Sequence, residues 1–187
     1  MFIQTEATPN PATLKFLPGR PVLPDGSLEI RDEKTAAKSP LAQALFSIGD
    51  VSGVFLGSDF VSVTKKSGEW QHLKPAILGA IMEHFSSGNP ILFEATDPAG
   101  SDEAEEFFAP EDAETVATIK ELLETRVRPA VAGDGGDITF KGFRDGIVYV
   151  TMKGSCSGCP SSTATLKNGI QNLMRHFLPE VRSVEQI

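Results

Sequence analysis

The stretch that decides the local fold is Gly154-Ser155-Cys156-Ser157-Gly158-Cys159-Pro160, which contains the only two cysteines of the chain. A β-prone run from Ile147 to Met152 leads into it, and a helical pattern leads out of it from Pro160. The two glycines give the loop backbone angles that other residues reach only at a cost. Pro160 suits the first position of a helix, where a missing N–H is no loss. The pattern therefore predicts a strand–loop–helix unit in which both sulfurs can face one point.

The surroundings of the cysteine pair favour thiolates. Cys159 is expected at the N-cap of the helix and Cys156 just outside it, where unpaired N–H groups favour anions. Between Asp145 and Glu180 the chain has no acidic residue. The basic residues that lie in that span include Lys153, Lys167 and Arg175. This setting would tolerate the negative charge of a thiolate-bound iron–sulfur cluster.

Two thiolates are half of a tetrahedral sulfur site, because zinc sites and iron–sulfur clusters usually take four sulfur ligands. The histidines His72, His84 and His176 do not supplement the pair: His176 falls roughly 25 Å beyond Pro160 along a helix that rises about 1.5 Å per residue. The economical arrangement is a second copy of the chain, whose own pair closes the site. An exposed site between subunits should also be easier to dismantle than a buried one, which suits delivery of a cofactor.

A lone Cys-x-x-Cys pair in an intracellular protein has three common roles: metal or cluster ligand, thioredoxin-like redox couple, or incidental residues. A redox couple usually places its second cysteine inside the first helical turn. Here Pro160 follows both cysteines, which keeps both sulfurs in the loop. The spacing favours shared ligation, with a thiol–disulfide oxidoreductase and a zinc-bridged structural dimer as the alternatives.

Composition describes a globular chain of 187 residues, enough for one large domain or two small ones. Eight of its 25 acidic residues lie between Asp97 and Glu114, where there is no Lys or Arg; the chain has 17 basic residues in all, so the remainder is balanced. No basic patch with interleaved aromatics supports nucleic-acid binding. No apolar run is long enough to span a membrane, and residues 1–6 do not form a secretory signal. Two cysteines do not suggest a disulfide scaffold, so a reducing compartment is the default expectation.

The predicted fold class is α+β, with two small mixed domains. The acidic segment, which also carries Pro, Gly and Ser, predicts a flexible linker over residues 97–110. The first domain is predicted over 1–96 and the second over 111–187. The second has the order helix, strand, strand, cysteine loop, helix, strand, with an Asp145-Gly146 hairpin turn and a helix end or kink at Pro129.

In the first domain, patterning predicts strands, helices and an irregular stretch but no chemistry. Trp70 is predicted to pack in the core, with an exposed partner contact as the alternative, and His84 to be a partly buried or surface residue. The predicted strands are Met1–Thr5, Thr13–Leu17, Val51–Leu56, Phe60–Lys65 and Ile91–Glu94; the helices begin at Pro40, capped by Ser39, and at Pro75; residues 18–37 are irregular.

Several stretches resemble one family. Asp134-Gly135-Gly136-Asp137-Ile138, the cysteine loop with Ser161-Ser162, and Thr165-Leu166-Lys167-Asn168-Gly169-Ile170 resemble the C-terminal domain of NifU-like (Nfu-type) iron–sulfur cluster proteins. The opening Met1-Phe2-Ile3-Gln4-Thr5-Glu6, with Thr8-Pro9-Asn10-Pro11 and Leu14-Lys15-Phe16, resembles the N-terminal domain of the two-domain members. The resemblance covers nearly the whole chain.

The resemblance implies a carrier rather than an enzyme. Such proteins accept a cluster, usually 4Fe–4S with 2Fe–2S as the alternative, from an upstream scaffold and deliver it to apo-proteins. Two subunits bridge the cluster with their cysteine pairs, so the implied ligands here are Cys156 and Cys159 in a cluster-bound homodimer, and the thiols are expected to be solvent-accessible. The implied role of the N-terminal domain is partner recognition. The start of the chain at the domain itself favours a bacterial cytoplasm, with a mitochondrial matrix as the alternative for a mature organellar form.

Overall fold

The computed structural model describes residues 1–24, 26–93, 106–156 and 160–187, with the backbone alone for 160–162. The chain divides into two compact units, Met1–Ser101 and Asp102–Ile187. Most of the predicted linker, residues 97–105, lies outside the described residues. In the described part, no helix is long and apolar enough to cross a membrane.

The first unit is built on a five-stranded antiparallel sheet. The spatial order of its strands is β1-β2-β5-β4-β3. The bounds are β1 Gln4–Ala7, β2 Thr13–Leu17, β3 Leu28–Ile30, β4 Val51–Leu56 and β5 Val61–Lys65. The predicted hairpin of β4 and β5 is confirmed, with Val54 opposite Val63. Both of these valines are buried, so the register sets one face of the sheet toward the core.

Three helices belong to the first unit: α1 Glu33–Ala36, α2 Pro40–Phe46 and α3 Trp70–Ser87. The predicted start of α2 is confirmed, because the Ser39 side chain accepts a hydrogen bond from the Ala42 N–H. Leu41 and Leu45 of α2 and Ile77 and Ile81 of α3 are fully buried in the core of this unit. Both helices therefore turn an apolar stripe inward.

The first strand, predicted over Met1–Thr5, spans Gln4–Ala7, and three further predictions for the first unit are wrong. The stretch 18–37 is not irregular throughout, because it contains β3 and the single-turn helix α1. Helix α3 starts at Trp70 rather than Pro75, which lies inside the helix. Residues 91–93 form no strand; the Phe93 N–H bonds the Lys38 carbonyl oxygen instead, at 3.0 Å, and Glu94 is outside the described residues.

The second unit has the predicted element order. A short 3-10 turn, Pro110–Asp112, leads into α4 Ala113–Leu122, a π-helical segment Leu123–Val127, and α5 Arg128–Gly133. The sheet follows: β6 Gly136–Arg144, β7 Ile147–Gly154, then α6 Pro160–Phe177 and β8 Ser183–Gln186. β6 and β7 pair antiparallel, and β8 lies parallel to β7 on its other side.

The helices of this unit depart from a regular amphipathic pattern at three residues, Pro129, Phe177 and Gly169. Of the helix end or kink predicted at Pro129, the end is wrong: the helical path continues through Pro129 after the π-helical turn, a wider turn that accommodates a residue without an N–H. The buried face of α6 holds Ile170 and Met174, whereas Phe177 is 45% exposed, with the Arg126 guanidinium 5.3 Å from its ring centre. Gly169 is exposed, and a Cβ added to it would meet nothing within 4 Å, so its place in the helix is not explained by close packing against the sheet.

Residues 106–110, the last five of the predicted linker, belong to the second unit's described fold. Phe107 forms a parallel bridge to Gly142 of β6: its N–H bonds the Lys141 carbonyl oxygen at 3.2 Å, and its carbonyl oxygen accepts from the Phe143 N–H at 2.9 Å. Its ring lies 5.1 Å from that of Tyr149. These contacts tie the segment to the outer edge of β6.

Candidate metal-binding site around Cys156

The predicted strand–loop–helix unit is present. β7 ends at Gly154, whose φ of +73° is a left-handed value that favours glycine, and α6 begins at Pro160. Cys156 lies two residues beyond the strand. Cys159, together with residues 157 and 158, lies outside the described residues, so its assignment as a ligand stays a prediction.

Cys156 is buried, with 2% of its surface exposed, and it belongs to the apolar core of the second unit. This differs from the solvent-accessible thiol that was expected. The reason is Gly136, at the start of β6: a Cβ on this glycine would lie 3.1 Å from the Cys156 sulfur and 2.6 Å from the Lys153 carbonyl oxygen. The missing side chain leaves the room into which the thiol fits.

Hydrogen bonds fix the backbone on both sides of this thiol. Ser155, also buried, donates its hydroxyl to the Asp134 carbonyl oxygen and its N–H to the Gly135 carbonyl oxygen at 3.2 Å. The Cys156 carbonyl oxygen accepts from the Thr163 hydroxyl at 3.0 Å. The turn before β6 and the first turns of α6 therefore both hold the loop at the point where the sulfur lies.

An ion pair supports the turn from the other side. Arg128 donates from Nε and Nη2 to the two carboxylate oxygens of Asp137, at 2.9 and 3.2 Å, and Asp137 is 7% exposed. This paired hydrogen bonding raises the pKa of Arg128 above its ordinary value. Asp137 follows Gly136 directly, so the pair ties α5 to the strand on which Cys156 rests. Sequence reasoning missed this pair, because nine residues separate its members and no local pattern marks them.

The basic residues predicted around the loop have partners elsewhere in the fold. Lys167 is paired with Glu185 of β8 at 2.7 Å, and Arg175 donates to the Arg182 carbonyl oxygen. Lys153 lies opposite Asp137 in the β6–β7 register. The span from Asp145 to Glu180 is free of acids in sequence, but the returning strand β8 brings a carboxylate back to α6.

Within the described ranges, no three His, Cys, Asp or Glu side chains come together in a way that could hold a metal ion. His176 stands at the far end of α6, edge-on to Phe177, and His72 and His84 belong to the first unit. A pocket lined by Asp145, Gly146 and Arg182, among others, lies at the opposite end of the β6–β7 hairpin from Cys156. The described residues offer Cys156 no third ligand from its own chain.

Comparisons with known proteins agree on both halves of the chain. Residues 3–88 match the family described as scaffold protein Nfu/NifU N terminal, and residues 119–185 match the NifU-like domain. The human protein named NFU1 iron-sulfur cluster scaffold homolog, mitochondrial, is 52% identical over 189 residues, which cover all of this chain and 72% of that protein. NifU-like protein 4, mitochondrial, of Arabidopsis thaliana is 51% identical over all of this chain and 66% of its own length. NifU-like protein 5, mitochondrial, of the same plant is 51% identical over all of this chain and 68% of its own length.

Proposed function

Because the chain belongs to the Nfu/NifU family of iron–sulfur cluster scaffold proteins, we propose that it takes up an iron–sulfur cluster, holds it between two copies of itself and delivers it to apo-proteins. The observation that carries this proposal is the placement of Cys156 in the loop between β7 and α6, within the residues matched by the NifU-like domain. Thiolates are the ligands that such clusters take in proteins.

The cluster is cargo, and the ligands we assign are Cys156 and Cys159. The four sulfurs of two chains match the four ligands of a 4Fe–4S cluster, the form we propose, with 2Fe–2S as the alternative. Among the described residues, no three His, Cys, Asp or Glu side chains come together to hold a metal ion, and this supports a site completed by a second chain.

Delivery needs no change in oxidation state. A thiolate of the recipient forms a bond to an iron atom while the bond from that iron to Cys156 or Cys159 breaks, and the steps repeat until the recipient holds the cluster. Each released thiolate takes up a proton from solvent. The chain is then a carrier and not an enzyme, and its partners are an upstream scaffold and downstream apo iron–sulfur proteins.

The relatives named above are described as mitochondrial, which supports the second of the two predicted compartments, a mitochondrial matrix. To the first unit, which contains the residues that match the Nfu/NifU N-terminal family, we assign the role of partner recognition. No described residue of that unit suggests chemistry of its own.

Anaerobic reconstitution with iron and sulfide tests the proposal. We expect a brown dimer with about two irons per chain, the ratio for one shared 4Fe–4S cluster, or about one for 2Fe–2S. Cys156→Ser and Cys159→Ser should each abolish the cluster absorption while far-UV circular dichroism stays unchanged. A variant that still holds a full cluster would show that the ligand assignment is wrong.

The same experiment separates the two rivals. A colourless dimer that binds zinc and releases none to an apo-enzyme would support a structural zinc site. A colourless monomer whose cysteines cycle between dithiol and disulfide with a reductant would support a thiol–disulfide oxidoreductase. Transfer of the cluster to an apo-enzyme, measured as regained activity, would exclude both.

A further inference from the structure

We infer that Gly136 and Ser155 are positioning residues for Cys156: they seat its thiol against the start of β6 in the cluster-free protein, and the thiol must leave this seat to bind iron. The inference rests on the proposed function only in treating Cys156 as a ligand. The seat itself is a property of the cluster-free chain and can be measured without iron.

The absence of a side chain at Gly136 leaves the space that the Cys156 thiol occupies. A Cβ at Gly136 would lie 2.6 Å from the Lys153 carbonyl oxygen, 3.1 Å from the Cys156 sulfur and 3.4 Å from the Cys156 Cβ. The carbonyl belongs to β7, whose Gly154 pairs with Gly136 across the ladder, so it can withdraw only if the pairing is disturbed. Gly136 does not have a positive φ; what its position requires is the absence of a side chain.

Hydrogen bonds from Ser155 hold the cysteine loop against the turn before β6. Ser155 is 1% exposed, and its hydroxyl donates to the Asp134 carbonyl oxygen. Its N–H holds the Gly135 carbonyl oxygen, so one residue closes the loop onto the turn that carries Gly136. The hydroxyl also lies 3.9 Å from the Cys156 sulfur. Removing the hydroxyl should therefore loosen the seat without adding any atom to it.

The seat of the thiol also bears on cluster binding. Cys156 as a residue is 2% exposed, and a thiol buried to this extent cannot reach an iron atom shared with a second chain. Loading must therefore begin with the departure of Cys156 from the contact with Gly136. The seat shelters the thiol while the protein is empty, and its strength sets how readily the thiol becomes available.

The test is the alkylation rate of Cys156 by iodoacetamide in a Cys159→Ser background, with no iron present. We expect the native rate to be about a hundredfold below the rate in urea, because reaction requires local opening. Ser155→Ala should raise the native rate about fivefold, the effect of losing one hydrogen bond. Gly136→Ala should raise it by about tenfold or more, since its Cβ and the sulfur cannot both keep their places.

Two glycines serve as matched controls. Gly133→Ala changes the last residue of α5, just before the turn that leads to Gly136, where nothing lies within 4 Å of the new Cβ, and it should leave the rate unchanged. Gly142→Ala adds a Cβ that would meet the Phe107 ring at 2.5 Å, also on β6 but away from the cysteine loop. It reports what general destabilisation of the unit does to the rate. If Gly136→Ala fails to fold, Ser155→Ala carries the test alone.

The outcomes are distinct. The inference is wrong if native Cys156 reacts as fast as it does in urea. It is also wrong if Gly142→Ala, at equal loss of stability, raises the rate as much as Gly136→Ala or Ser155→Ala does. With both cysteines present, Ser155→Ala should bind the same iron per chain as the wild type but reach it faster. A slow-reacting Cys156 in a chain that takes up no cluster would uphold the seat and sink the proposed function instead.

Discussion

The two units use their buried polar groups in different ways. In the first unit they close the structure: the hydroxyls of Thr13 and Thr64 bond each other at 2.8 Å across two strands, and Ser39 caps a helix. In the second unit, Ser155 and Asp137 lie on either side of the contact between Cys156 and β6. The difference indicates that the first unit's polar interior maintains a fold, whereas part of the second unit's polar interior holds a reactive group.

The largest expected losses of unfolding free energy come from one core substitution in each unit, and they test whether the two units unfold independently. Ile81 and Ile119 are fully buried, one in each core, and Ala in place of either should cost about 2–5 kcal/mol of its own unit's stability. Trp70, the only tryptophan, lies in the first unit, so its fluorescence during urea unfolding reports that unit. Ile81→Ala should lower the midpoint seen by fluorescence, and Ile119→Ala should lower only the second-unit signal in circular dichroism. A fluorescence midpoint that moves with Ile119→Ala would mean that the units unfold together.

The next effect concerns the ion pair beside the cysteine seat. Asp137→Asn leaves Arg128 without the carboxylate that it grips with two hydrogen bonds, and we expect a loss of about 1–2 kcal/mol from the second unit. The value is below that of a fully buried pair because the Arg128 side chain is 36% exposed. The matched control is Glu124→Gln, an exposed partner of the same arginine, which should cost under about 0.5 kcal/mol. Equal losses in urea unfolding would show that the buried position of Asp137 contributes nothing.

In the first unit, loss of the Ser39 helix cap should have a smaller effect on stability than loss of the Asp137 ion pair has in the second unit. Ser39→Ala removes the side chain that accepts from the Ala42 N–H at the start of α2, and should cost about 1 kcal/mol, read from the midpoint of Trp70 fluorescence. Ser47→Ala, at the exposed end of the same helix, should cost under about 0.5 kcal/mol. Neither change should alter the alkylation rate of Cys156. A faster rate in either variant would contradict the division of roles between the units.

Much of the fold was predictable because its signals are local. The cap and proline at the start of α2, the Asp145-Gly146 turn and the strand alternation each act within a few residues, and the structure confirms them. β3 was missed because it is three residues long and is held by pairing with β4, which is distant in sequence. The start of α3 was missed because Pro75 is typical of a first turn; here the Trp70 indole N–H bonds the Pro11 carbonyl oxygen at 3.0 Å and anchors the helix earlier.

The candidate site, like the fold, could be predicted from the sequence only where its signals are local. The cysteine pair can be found from spacing alone, and so can the glycine-rich turn from Asp134 to Asp137. The contact between Cys156 and this turn cannot be found in that way, because it depends on the pairing of β6 with β7, which brings Gly136 opposite Gly154 and under the Cys156 sulfur. Burial of that sulfur was missed for the same reason: a loop of glycines and serines looks exposed until the strand beneath it is known.

His84 is the exception in the first unit, and it gives the smallest predicted effect. Its side chain is buried, and within the described residues its Nε2 has no hydrogen-bond partner in the protein, so burial lowers its pKa from the ordinary value of 6.5. In the unfolded chain the His84 imidazole binds a proton near pH 6.5, whereas in the folded unit it binds one only at lower pH. The first unit should therefore lose stability as the pH falls through and below 6.5. Asp32, whose pKa is lowered by its hydrogen bond from the Thr35 N–H, affects stability only at pH values near and below 3.8 and does not interfere.

The urea midpoint of Trp70 fluorescence should therefore drop between about pH 7.5 and about pH 5.5. His84→Leu should flatten that drop. His72→Gln, which changes an exposed histidine on the same helix, should leave the drop unchanged. A drop that survives His84→Leu would mean that another group causes it, and a wild-type midpoint that does not drop would mean that the ring is hydrogen-bonded or charged in solution; either result would remove His84 as the exception to the first unit's closed polar interior.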